Sequence, residues 1–493
     1  MARVVVVGSG IAGLAAAIRL ARQGHEVTVF EQQPVAGGKI AERYVASCRF
    51  DAGPSLLTWP QLLDELFALV GKSITDWLPY RRLPVICHYF FSDGKRLKAH
   101  ADVQRFSDEV HSVLGVAPST VKRYLNDSAR LFHLTREVFL TRSLHDPRTF
   151  FTRHAWQALL HLPALDAWTS LHRRNVSRLH HPHLVQLFDR YATYNGSDPF
   201  RAPATLKVIP HLEFNEGAYL PENGMYAIIR ALYQLAITCG VRFHFSTPVR
   251  RIRIDKSSAV VEAETPDQLR GEWPADLVVS NADVQATYEK LLSPGTKRPS
   301  FRKHERSTSA LVFFWEMDRR FPELGLHNIF FSSDYRNEFA ALRQGAFASD
   351  VTVYVNISCK EVPTDAPAGK ENWFVLVNAP ARTNADWPHQ VAQVRRAVLQ
   401  RLSRCLGSNV ADHIAAEAVM TPADMARSFA AADGALYGNS SNHWHSAFLR
   451  HSNSSSKHKN LYFCGGSVHP GGGIPLCLLS ARITAGLIAR RRR

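Results

Sequence analysis

The chain has 493 residues, of which 45% are hydrophobic, so it can bury a large core and form two or three domains. Its formal net charge of +16 predicts attraction to an anionic partner, either nucleic acid or phospholipid. The basic residues form no nucleic-acid-binding motif, and the apolar stretches are too short to span a membrane. The seven cysteines are scattered without a CxxC pair, which argues against a disulfide framework or a metal site.

The first predicted elements form a strand, a glycine loop and a helix. The apolar run Val4–Val7 indicates a strand of a parallel sheet that is buried on both faces. The helix is expected from Ile11 to Gln23, with Gly24 as its C-terminal stop, and a second strand from Val27 to Phe30. This order is typical of the start of a dinucleotide-binding fold.

The loop between the first strand and the helix has the glycine spacing of a dinucleotide-binding fingerprint. Its glycines permit a tight turn, close approach of a pyrophosphate, and close packing of helix on strand. Glu31 follows 18 residues after the last of them and can accept hydrogen bonds from a ribose. A glycine turn that binds nothing is the alternative. The residues predicted to bind the cofactor here are Gly8, Ser9, Gly10, Ala12, Gly13, Glu31 and Gln32.

Two further glycine turns, at 37–39 and 50–55, favour FAD over NAD. A simple dehydrogenase would already have entered its next βαβ unit at this point of the chain. The alternative is an ordinary surface loop, but a loop that wraps over a longer cofactor explains both turns. The residues predicted to contact the cofactor in these turns are Gly38, Lys39, Pro54 and Ser55.

The middle of the chain alternates between cofactor-binding and substrate-binding elements. Val241–Ile254 is predicted to contain strands that contact the adenine side through Val249. Leu277–Ser280 is predicted to be a strand that delivers Asn281 and Asp283 to the carboxyl edge of the sheet, where ligands collect. The remaining predicted elements are helices at Leu62–Val70, Val121–Leu140 and Gln390–Leu406, and strands at Ala310–Glu316, Val351–Ser358 and Trp373–Ala379.

The C-terminal segment repeats the strand, glycine loop and helix pattern. Leu461–Cys464 is predicted to be a strand and Pro475–Ala489 a helix. The positive end of that helix dipole would stabilise the negative charge of a reduced flavin. His469 lies beside the glycines and is interpreted as a site residue, with a loop histidine of no function as the alternative. The predicted contacts here are Gly466, His469, Gly473, Ile474 and Pro475.

The fold class predicted from these elements is α/β, with a discontinuous Rossmann-like FAD-binding domain and an inserted α+β substrate domain. Residues 1–70, 215–290 and 455–493 are expected to form the FAD-binding domain. Residues 71–214 and 291–454 are expected to form a substrate-binding and membrane-docking region.

Basic residues flank tryptophans in one part of the substrate region, a composition typical of a segment that docks on anionic lipid. An ordinary helical surface is the alternative. Because the first strand begins by Val4, no signal peptide is expected, and the protein is expected to be cytoplasmic and peripherally bound to the inner face of the membrane. The residues behind this prediction are Arg153, His154, Trp156, Trp168, His172, Arg173, Arg174, Arg178 and Arg490 to Arg493.

Three stretches carry a family resemblance: Arg190–Pro203, Gly217–Met225 and Gly465–Ser480. With them, the whole chain resembles the bacterial phytoene-desaturase-type carotenoid oxidoreductases, of the amine-oxidase and phytoene-desaturase clan of FAD enzymes. The first and third stretches are most similar to the 1-hydroxycarotenoid 3,4-desaturases. Two positions depart from the pattern, since Lys39 replaces the arginine of many relatives and Asn223 replaces a glycine.

This resemblance implies an FAD-dependent oxidoreductase that desaturates a lipophilic carotenoid drawn from the membrane. Hydride would pass from a substrate carbon to the flavin, and the electrons would then pass to a quinone or to oxygen. Alternatives within the clan are a phytoene-type desaturase, a carotenoid isomerase and a flavin amine oxidase. A non-catalytic basic membrane or nucleic-acid binder is the remaining class.

The catalytic residue is unknown from the sequence. Glu213 is the first candidate for the proton acceptor, and His211, two residues away, would share a strand face with it. The alternative is a buried pair that holds the domain junction. A substrate hydroxyl in an apolar site needs a hydrogen-bond partner, and Tyr194, Asn195 and Ser197 are candidates, although they could equally hold a turn.

Overall fold

The structure is a computed structural model. His154, Arg492 and Arg493, three residues of the predicted membrane-docking set, lie outside the residues that it describes. Most of the apolar stretch between Trp156 and Trp168 also lies outside them. The described stretches are 1–153, 155–156, 166, 168–296, 305–443 and 450–491.

The strands of the described stretches fall into five sheets. In chain order they are β1 Arg3–Val7, β2 Glu26–Phe30, β3 Glu42–Val45, β4 Cys48–Asp51, β5 Leu57–Thr58, β6 Tyr80–Arg82, β7 Val85–Phe90, β8 Arg96–His100, β9 Ala218–Pro221, β10 Arg242–His244, β11 Val249–Ile254, β12 Ala259–Glu264, β13 Arg270–Ala275, β14 Leu277–Ser280, β15 Ser309–Met317, β16 His327–Phe330, β17 Val353–Asn356, β18 Glu371–Ala379, β19 Ile414–Met420 and β20 Leu461–Phe463.

The α-helices surround these sheets, and π-helical turns at Arg136–Leu140, Leu212–Glu216 and Thr287–Leu291 directly follow three of them. In chain order the α-helices of the described stretches are α1 Ile11–Arg22, α2 Gln61–Ala68, α3 Val103–Leu114, α4 Pro118–Thr135, α5 Leu171–Leu179, α6 Pro182–Asp189, α7 Ile209–His211, α8 Ala227–Thr238, α9 Val284–Ala286, α10 Tyr335–Arg343, α11 Trp387–Leu406, α12 Pro422–Phe429 and α13 Ile474–Arg491. None of them combines the length and apolar character needed to cross a bilayer.

A parallel five-stranded sheet, in the order β10-β2-β1-β14-β20, supports one end of the molecule. Strand β1 lies at its centre, and its valines are buried on both faces. Val4 and Val6 pack in one cluster with residues of helices α1, α8 and α13. Val5 and Val7 pack in another cluster with the antiparallel sheet of β11, β12 and β13. The predicted Rossmann-like α/β fold is confirmed.

The second large sheet has seven strands in the order β19-β15-β18-β17-β16-β7-β8, and every neighbouring pair is antiparallel except β16 with β7. One face, which includes Leu311 and Phe313, packs on Val394 and Val398 of helix α11. Because side chains alternate along a strand, the residues between them point to the opposite face. That opposite face borders the cavity described below.

The sheet topology bears on the proposed division into domains. Every strand of the parallel sheet lies within 1–70, 215–290 or 455–493, and every strand of the seven-stranded sheet lies within 71–214 or 291–454. A small sheet joins β5 and β9 to β6 and therefore crosses that division. The domain limits stay a prediction.

Two predicted elements have different limits. The helix predicted at 121–140 begins instead at Pro118, which occupies the first helical turn, and its last five residues form a π-helical turn. The strand predicted at 351–358 covers only Val353–Asn356. The residues after it turn into a short 3₁₀ helix, where the hydroxyl of Ser358 donates to the buried carboxylate of Asp365.

Arg49 fixes strand β4, which leads directly into a segment of the cavity wall. Its guanidinium lies 2.9 Å from Glu42, 2.9 Å from Asp51 and 3.0 Å from Asp365. The carboxylate of Asp51 also accepts two backbone N–H groups just before helix α8, at 2.8 and 3.1 Å. Arg49 therefore joins β4 to Glu42 and Asp365, and Asp51, which pairs with Arg49, joins β4 to the start of a distant helix.

We predict that Arg49→Ala destabilises the protein by about 3–5 kcal/mol, because it leaves carboxylates without a cation in a buried setting. The measurement is the midpoint of thermal unfolding followed by circular dichroism. Arg250→Ala is the control, since Arg250 pairs with Glu264 at the surface and is about half exposed. Equal midpoints for the two variants would contradict the prediction.

Candidate active site

A cavity of about 710 Å³ joins the carboxyl edge of the parallel sheet to one face of the seven-stranded sheet. The glycine loops that follow β1 and β20 form part of its wall. Ala310, Val312, Ile329 and Leu376 of the larger sheet form another part. Segments from both ends of the chain and from its middle therefore surround one space.

Most residues predicted to bind the cofactor line this cavity. Ser9 and Gly13 do not line it, because each supports the glycine loop from behind. Ser9 is fully buried and bonded to Glu31, and a Cβ on Gly13 would lie 2.1 Å from the Gly8 carbonyl oxygen. The predicted residues that line the cavity are Gly8, Gly10, Ala12, Glu31, Gln32, Gly38, Lys39, Pro54, Ser55, Val249, Asn281, Asp283, Gly466, His469, Gly473, Ile474 and Pro475.

Two helix N-termini contribute to the cavity wall. Gly10 precedes helix α1 without a side chain to accept from its first N–H groups. Helix α13 begins at Ile474 immediately after Gly473, whose φ of +101° suits glycine. Unpaired N–H groups and the helix dipole both favour an anion at such positions.

The carboxylate of Glu31 is held in place by Ser9 of the glycine loop and by Gln33. Its Oε2 accepts from the backbone N–H and the hydroxyl of Ser9, both at 2.8 Å, and its Oε1 accepts from the N–H of Gln33 at 2.9 Å. The carboxylate lies at the end of β2 and lines the cavity. A fixed acid in this position suits the ribose hydroxyls of a dinucleotide.

Asn281 lies between the glycines of both chain ends. Its Nδ2 donates to the carbonyl of Cys464 at 3.1 Å. A Cβ on Gly10, Gly13 or Gly465 would lie within 2.7 to 2.9 Å of its amide atoms. The side chain of Asn281 therefore requires glycine at three positions and locks the N-terminal loop against the C-terminal loop.

Lys39 places a positive charge in the same region. Its Nζ donates to the carbonyl of Leu436, and it forms no ion pair with a described carboxylate. Burial lowers the pKa of Lys39, while Asp283 and Cys477 oppose that shift. A nearby anion would stabilise the charged form of Lys39. Together with the two helix N-termini and the fixed carboxylate of Glu31, Lys39 fits the diphosphate and ribose of a dinucleotide.

His469 is held as a neutral donor. Its Nε2 lies 2.7 Å from the carbonyl oxygen of Arg142, so it carries the hydrogen and donates. Burial lowers the pKa of His469 to about 4. The imidazole therefore ties the glycine loop to the segment at 142, and its place on the cavity wall agrees with the interpretation as a site residue.

A buried polar cluster lines another part of the cavity. Glu213 accepts from the hydroxyl of Tyr191 at 2.7 Å through one oxygen and from Tyr194 through the other. The Arg190 guanidinium lies 3.8 Å from Glu213, donates to Tyr89 at 3.0 Å, and stacks over Tyr191 with 4.7 Å to the ring centroid. Burial raises the pKa of each tyrosine well above its usual value, so all three stay neutral.

The predicted relation between His211 and Glu213 is wrong. His211 ends helix α7 and Glu213 lies in the π-helical turn that follows, so the two do not share a strand face. His211 instead lies 3.4 Å from Glu216 and accepts from Asn215 at 2.8 Å. Helical geometry turns residues two apart to different sides, which also separates the proposed buried pair.

Of the three residues predicted to pair with a substrate hydroxyl, two line the cavity. Tyr194 and Asn195 line the cavity, but Ser197 does not. The hydroxyl of Ser197 accepts from the N–H of Ser441 at 2.9 Å and donates to the carbonyl of Asn195 at 3.2 Å. Ser197 therefore holds a turn, which is the alternative that the sequence left open.

Arg450 is a buried residue that the sequence analysis misses. It donates to the carbonyls of Tyr437 and Gly466 at 2.8 and 3.2 Å, and to Asn195 at 3.0 Å. Burial lowers the pKa of Arg450 to about 10. It joins three segments of the site, and no local pattern around position 450 indicates this role.

A second missed group consists of His327 and Tyr354 on neighbouring strands of the large sheet. Tyr354 Oη lies 2.5 Å from the Ser55 hydroxyl and 2.8 Å from His327 Nδ1. Both residues line the cavity, and burial lowers the pKa of His327 to about 3. Both strands are almost entirely buried, so no local sequence pattern singles these two residues out.

Comparison with known proteins agrees with this geometry. The profile of the family described as flavin containing amine oxidoreductase matches residues 11–489. The chain belongs to this family. It is therefore an oxidoreductase with a flavin cofactor, and the predicted resemblance to carotenoid desaturases is confirmed.

Individual relatives cover the whole chain. The 1-hydroxycarotenoid 3,4-desaturase of Flavobacterium sp. (strain P99-3) is 42% identical over 99% of this chain and 99% of its own length. The 4,4'-diapolycopene oxygenase of Methylomonas sp. is 31% identical over 98% of this chain and 97% of its own length. An oxidoreductase from Methanosarcina mazei, 16% identical, superposes with a TM-score of 0.64 over 100% of both chains, which shows a shared fold.

We predict that Gly13→Ala and Glu31→Ala each lower flavin occupancy at least roughly tenfold, since the first displaces the Gly8 carbonyl and the second frees Ser9. The measurement is flavin absorbance per mole of purified protein. Gly486→Ala is the control, because the added Cβ would meet no described atom within 4 Å beyond the adjacent backbone of its own helix. Folded Gly13→Ala and Glu31→Ala proteins with full flavin content would show that this loop does not hold the cofactor.

Proposed function

We propose that this protein is an FAD-dependent desaturase that introduces the 3,4 double bond into an acyclic carotenoid already hydroxylated at C-1. The observation that carries the proposal is one cavity shared by dinucleotide-type glycine loops, apolar walls and a buried polar cluster. The relative that is 42% identical along its whole length bears the name of this activity.

The proposed FAD contacts follow the geometry of the loops. The N-terminus of helix α1 would hold the diphosphate, Glu31 the ribose, and Val249 the adenine side. Lys39 would approach the diphosphate and the ribityl chain, and Pro54, Ser55 and the N-terminus of helix α13 would hold the flavin end. Bound there, FAD supplies the hydride acceptor for desaturation.

The chain itself would orient the polyene and keep water away from it. A carotenoid offers an apolar rod without hydrogen-bonding groups along most of its length, so its binding depends on buried apolar surface. The apolar cavity residues that supply such surface include Ile86, Phe132, Phe139, Leu140, Leu206, Val208, Ile209 and Leu212.

Glu213 stays the candidate for the group that accepts the proton from the substrate. Both of its oxygens already accept hydrogen bonds, and Arg190 balances its charge. Each oxygen keeps a second lone pair that could take a proton, but two tyrosines and Arg190 already hold the carboxylate in place. The arrangement therefore favours Glu213 first as the anchor that positions Arg190 and the tyrosines.

Docking on a membrane surface would give the enzyme access to its substrate. Four aromatic side chains in the segment from Phe150 to Trp168 are largely exposed: Phe150 by 53%, Phe151 by 82%, Trp156 by 58% and Trp168 by 73%. Exposed aromatic residues beside basic ones suit the interface of an anionic bilayer. A membrane quinone, or oxygen, would then take the electrons from the enzyme.

The nearest alternative is a phytoene-type desaturase or a polyene isomerase that uses the same cavity. It would need no partner for a substrate hydroxyl. A flavin amine oxidase would need to pair a polar amine, whereas many of the cavity residues outside the glycine loops are apolar. The substrate therefore distinguishes the candidates better than the cofactor does.

We expect the purified, flavin-loaded protein to convert a 1-hydroxylated acyclic carotenoid at least roughly tenfold faster than phytoene or lycopene. A substrate end without the hydroxyl would leave the protein groups that bond it unpaired, which costs binding free energy. The carotenoids are supplied in liposomes, and the products are separated by chromatography. Preferential conversion of phytoene would refute the proposed substrate and leave the family unchanged.

We expect the protein to float with anionic liposomes at low ionic strength and to bind less at high ionic strength, because salt screens its charge. The double variant Phe151→Ala/Trp168→Ala should bind at least roughly tenfold more weakly. Leu269→Ala is the control, since Leu269 is also exposed but lies in the distant β12–β13 hairpin. No binding at either ionic strength would refute the docking proposal.

A further inference from the structure

One ring nitrogen of His327 is left unpaired by the residues that the structure describes. The residue begins strand β16, lines the cavity and is only 5% exposed. Its Nε2 has no hydrogen-bond partner among the described residues. A buried polar atom left unpaired costs about 1–3 kcal/mol, so its retention in a cavity wall points to a ligand.

The neighbours of His327 determine which nitrogen carries the hydrogen. Asn356 Nδ2 lies 3.2 Å from His327 Nδ1 and also donates to the carbonyl of Leu326 at 3.1 Å. A carbonyl only accepts, so this end of the Asn356 amide is the NH₂ group, and Nδ1 must accept from it. The second neighbour of Nδ1, the hydroxyl of Tyr354 at 2.8 Å, is also able to donate.

The protonation state follows from this arrangement. Burial lowers the pKa of His327 to about 3, and Arg190 and His88 act in the same direction, so the ring is neutral near pH 7. A neutral imidazole has one hydrogen, and with Nδ1 as acceptor that hydrogen is on Nε2. His327 is therefore a hydrogen-bond donor for which the described part of the chain supplies no acceptor.

The chemistry of the proposed substrate supplies an acceptor. A carotenoid hydroxylated at C-1 has one oxygen, and a single CH₂ group separates its carbon from the 3,4 bond. The partner of that hydroxyl must therefore lie close to the reacting carbons. Through Tyr354, His327 is linked to Ser55, which belongs to the wall proposed to contact the flavin end of the cofactor.

We propose that His327 determines substrate specificity by donating a hydrogen bond from Nε2 to the hydroxyl oxygen of the carotenoid end. This inference rests on the proposed function. Tyr354 and Asn356 are positioning residues, because they hold the imidazole with its donor free. The hydroxyl of Tyr335, which also lines the cavity and has no hydrogen-bond partner among the described residues, is the competing candidate.

The test measures binding rather than turnover. Dissociation constants of the flavin-loaded protein are determined by quenching of tryptophan fluorescence, for a 1-hydroxylated acyclic carotenoid and for the same carotenoid with hydrogen in place of the hydroxyl. Wild type should prefer the hydroxylated compound at least roughly tenfold. His327→Leu and His327→Phe should reduce that preference to about onefold, because neither side chain donates.

Three further variants serve as controls that should keep the preference. His327→Gln keeps an N–H donor near the position of Nε2 and should retain most of the preference. His88→Gln is the matched histidine control. His88 lies on the adjacent strand and pairs with Asn328, which follows His327, so both His88 and Asn328 point to the face opposite the cavity. Tyr335→Phe should also retain the preference.

The outcomes separate the inference from the function on which it rests. A wild-type preference that His327→Leu and His327→Phe both keep would overturn the role of His327 alone. Loss of preference in Tyr335→Phe, with retention in the His327 variants, would assign the role to Tyr335. Equal wild-type affinity for both carotenoids would overturn the proposed substrate and this inference together. Thermal midpoints and flavin content establish that each variant is folded.

Discussion

Burial of strand β1 on both faces is the constraint on which the site depends. Its alternating valines must contact helices on one side and the β11–β13 sheet on the other, so β1 can only lie in the centre of the parallel sheet. Its neighbours are then β2 and β14, and β20 follows β14. Because the carboxyl ends of these parallel strands meet at one edge, the loops after them converge there, although they come from the start, middle and end of the chain.

The fold and the cofactor loops could be predicted because their signals are local. A glycine that must turn tightly and an acid at the end of the second strand are both visible in a short window. Helix limits were less predictable, since Pro118 starts α4 earlier than its apolar pattern indicates. The strand assumed for His211 and Glu213 is a helix followed by a π-helical turn, because packing against other elements, and not local periodicity, selected that conformation.

The polar residues of the substrate region could not be predicted for a different reason. Ser55 and Tyr354 are 299 residues apart, and their contact exists only because two sheets enclose one cavity. The acceptor role of His327 Nδ1 depends on the register that places Asn356 opposite it. Arg450 likewise joins segments that are remote in sequence. These contacts depend on the register of the sheets and on loops that converge from distant parts of the chain, which a single sequence does not reveal.

Strand β15 forms part of the cavity wall with one face and part of the core with the other. Leu311 and Phe313 pack in the core on helix α11, whereas Ala310 and Val312 line the cavity. A substitution at Ala310 or Val312 would therefore reshape the cavity directly, and it would also change the apolar cluster that these residues form with Phe50 and Phe374. Leu311 and Phe313 would keep their contacts with helix α11, so a variant with a reshaped cavity would retain the core on that side of the sheet.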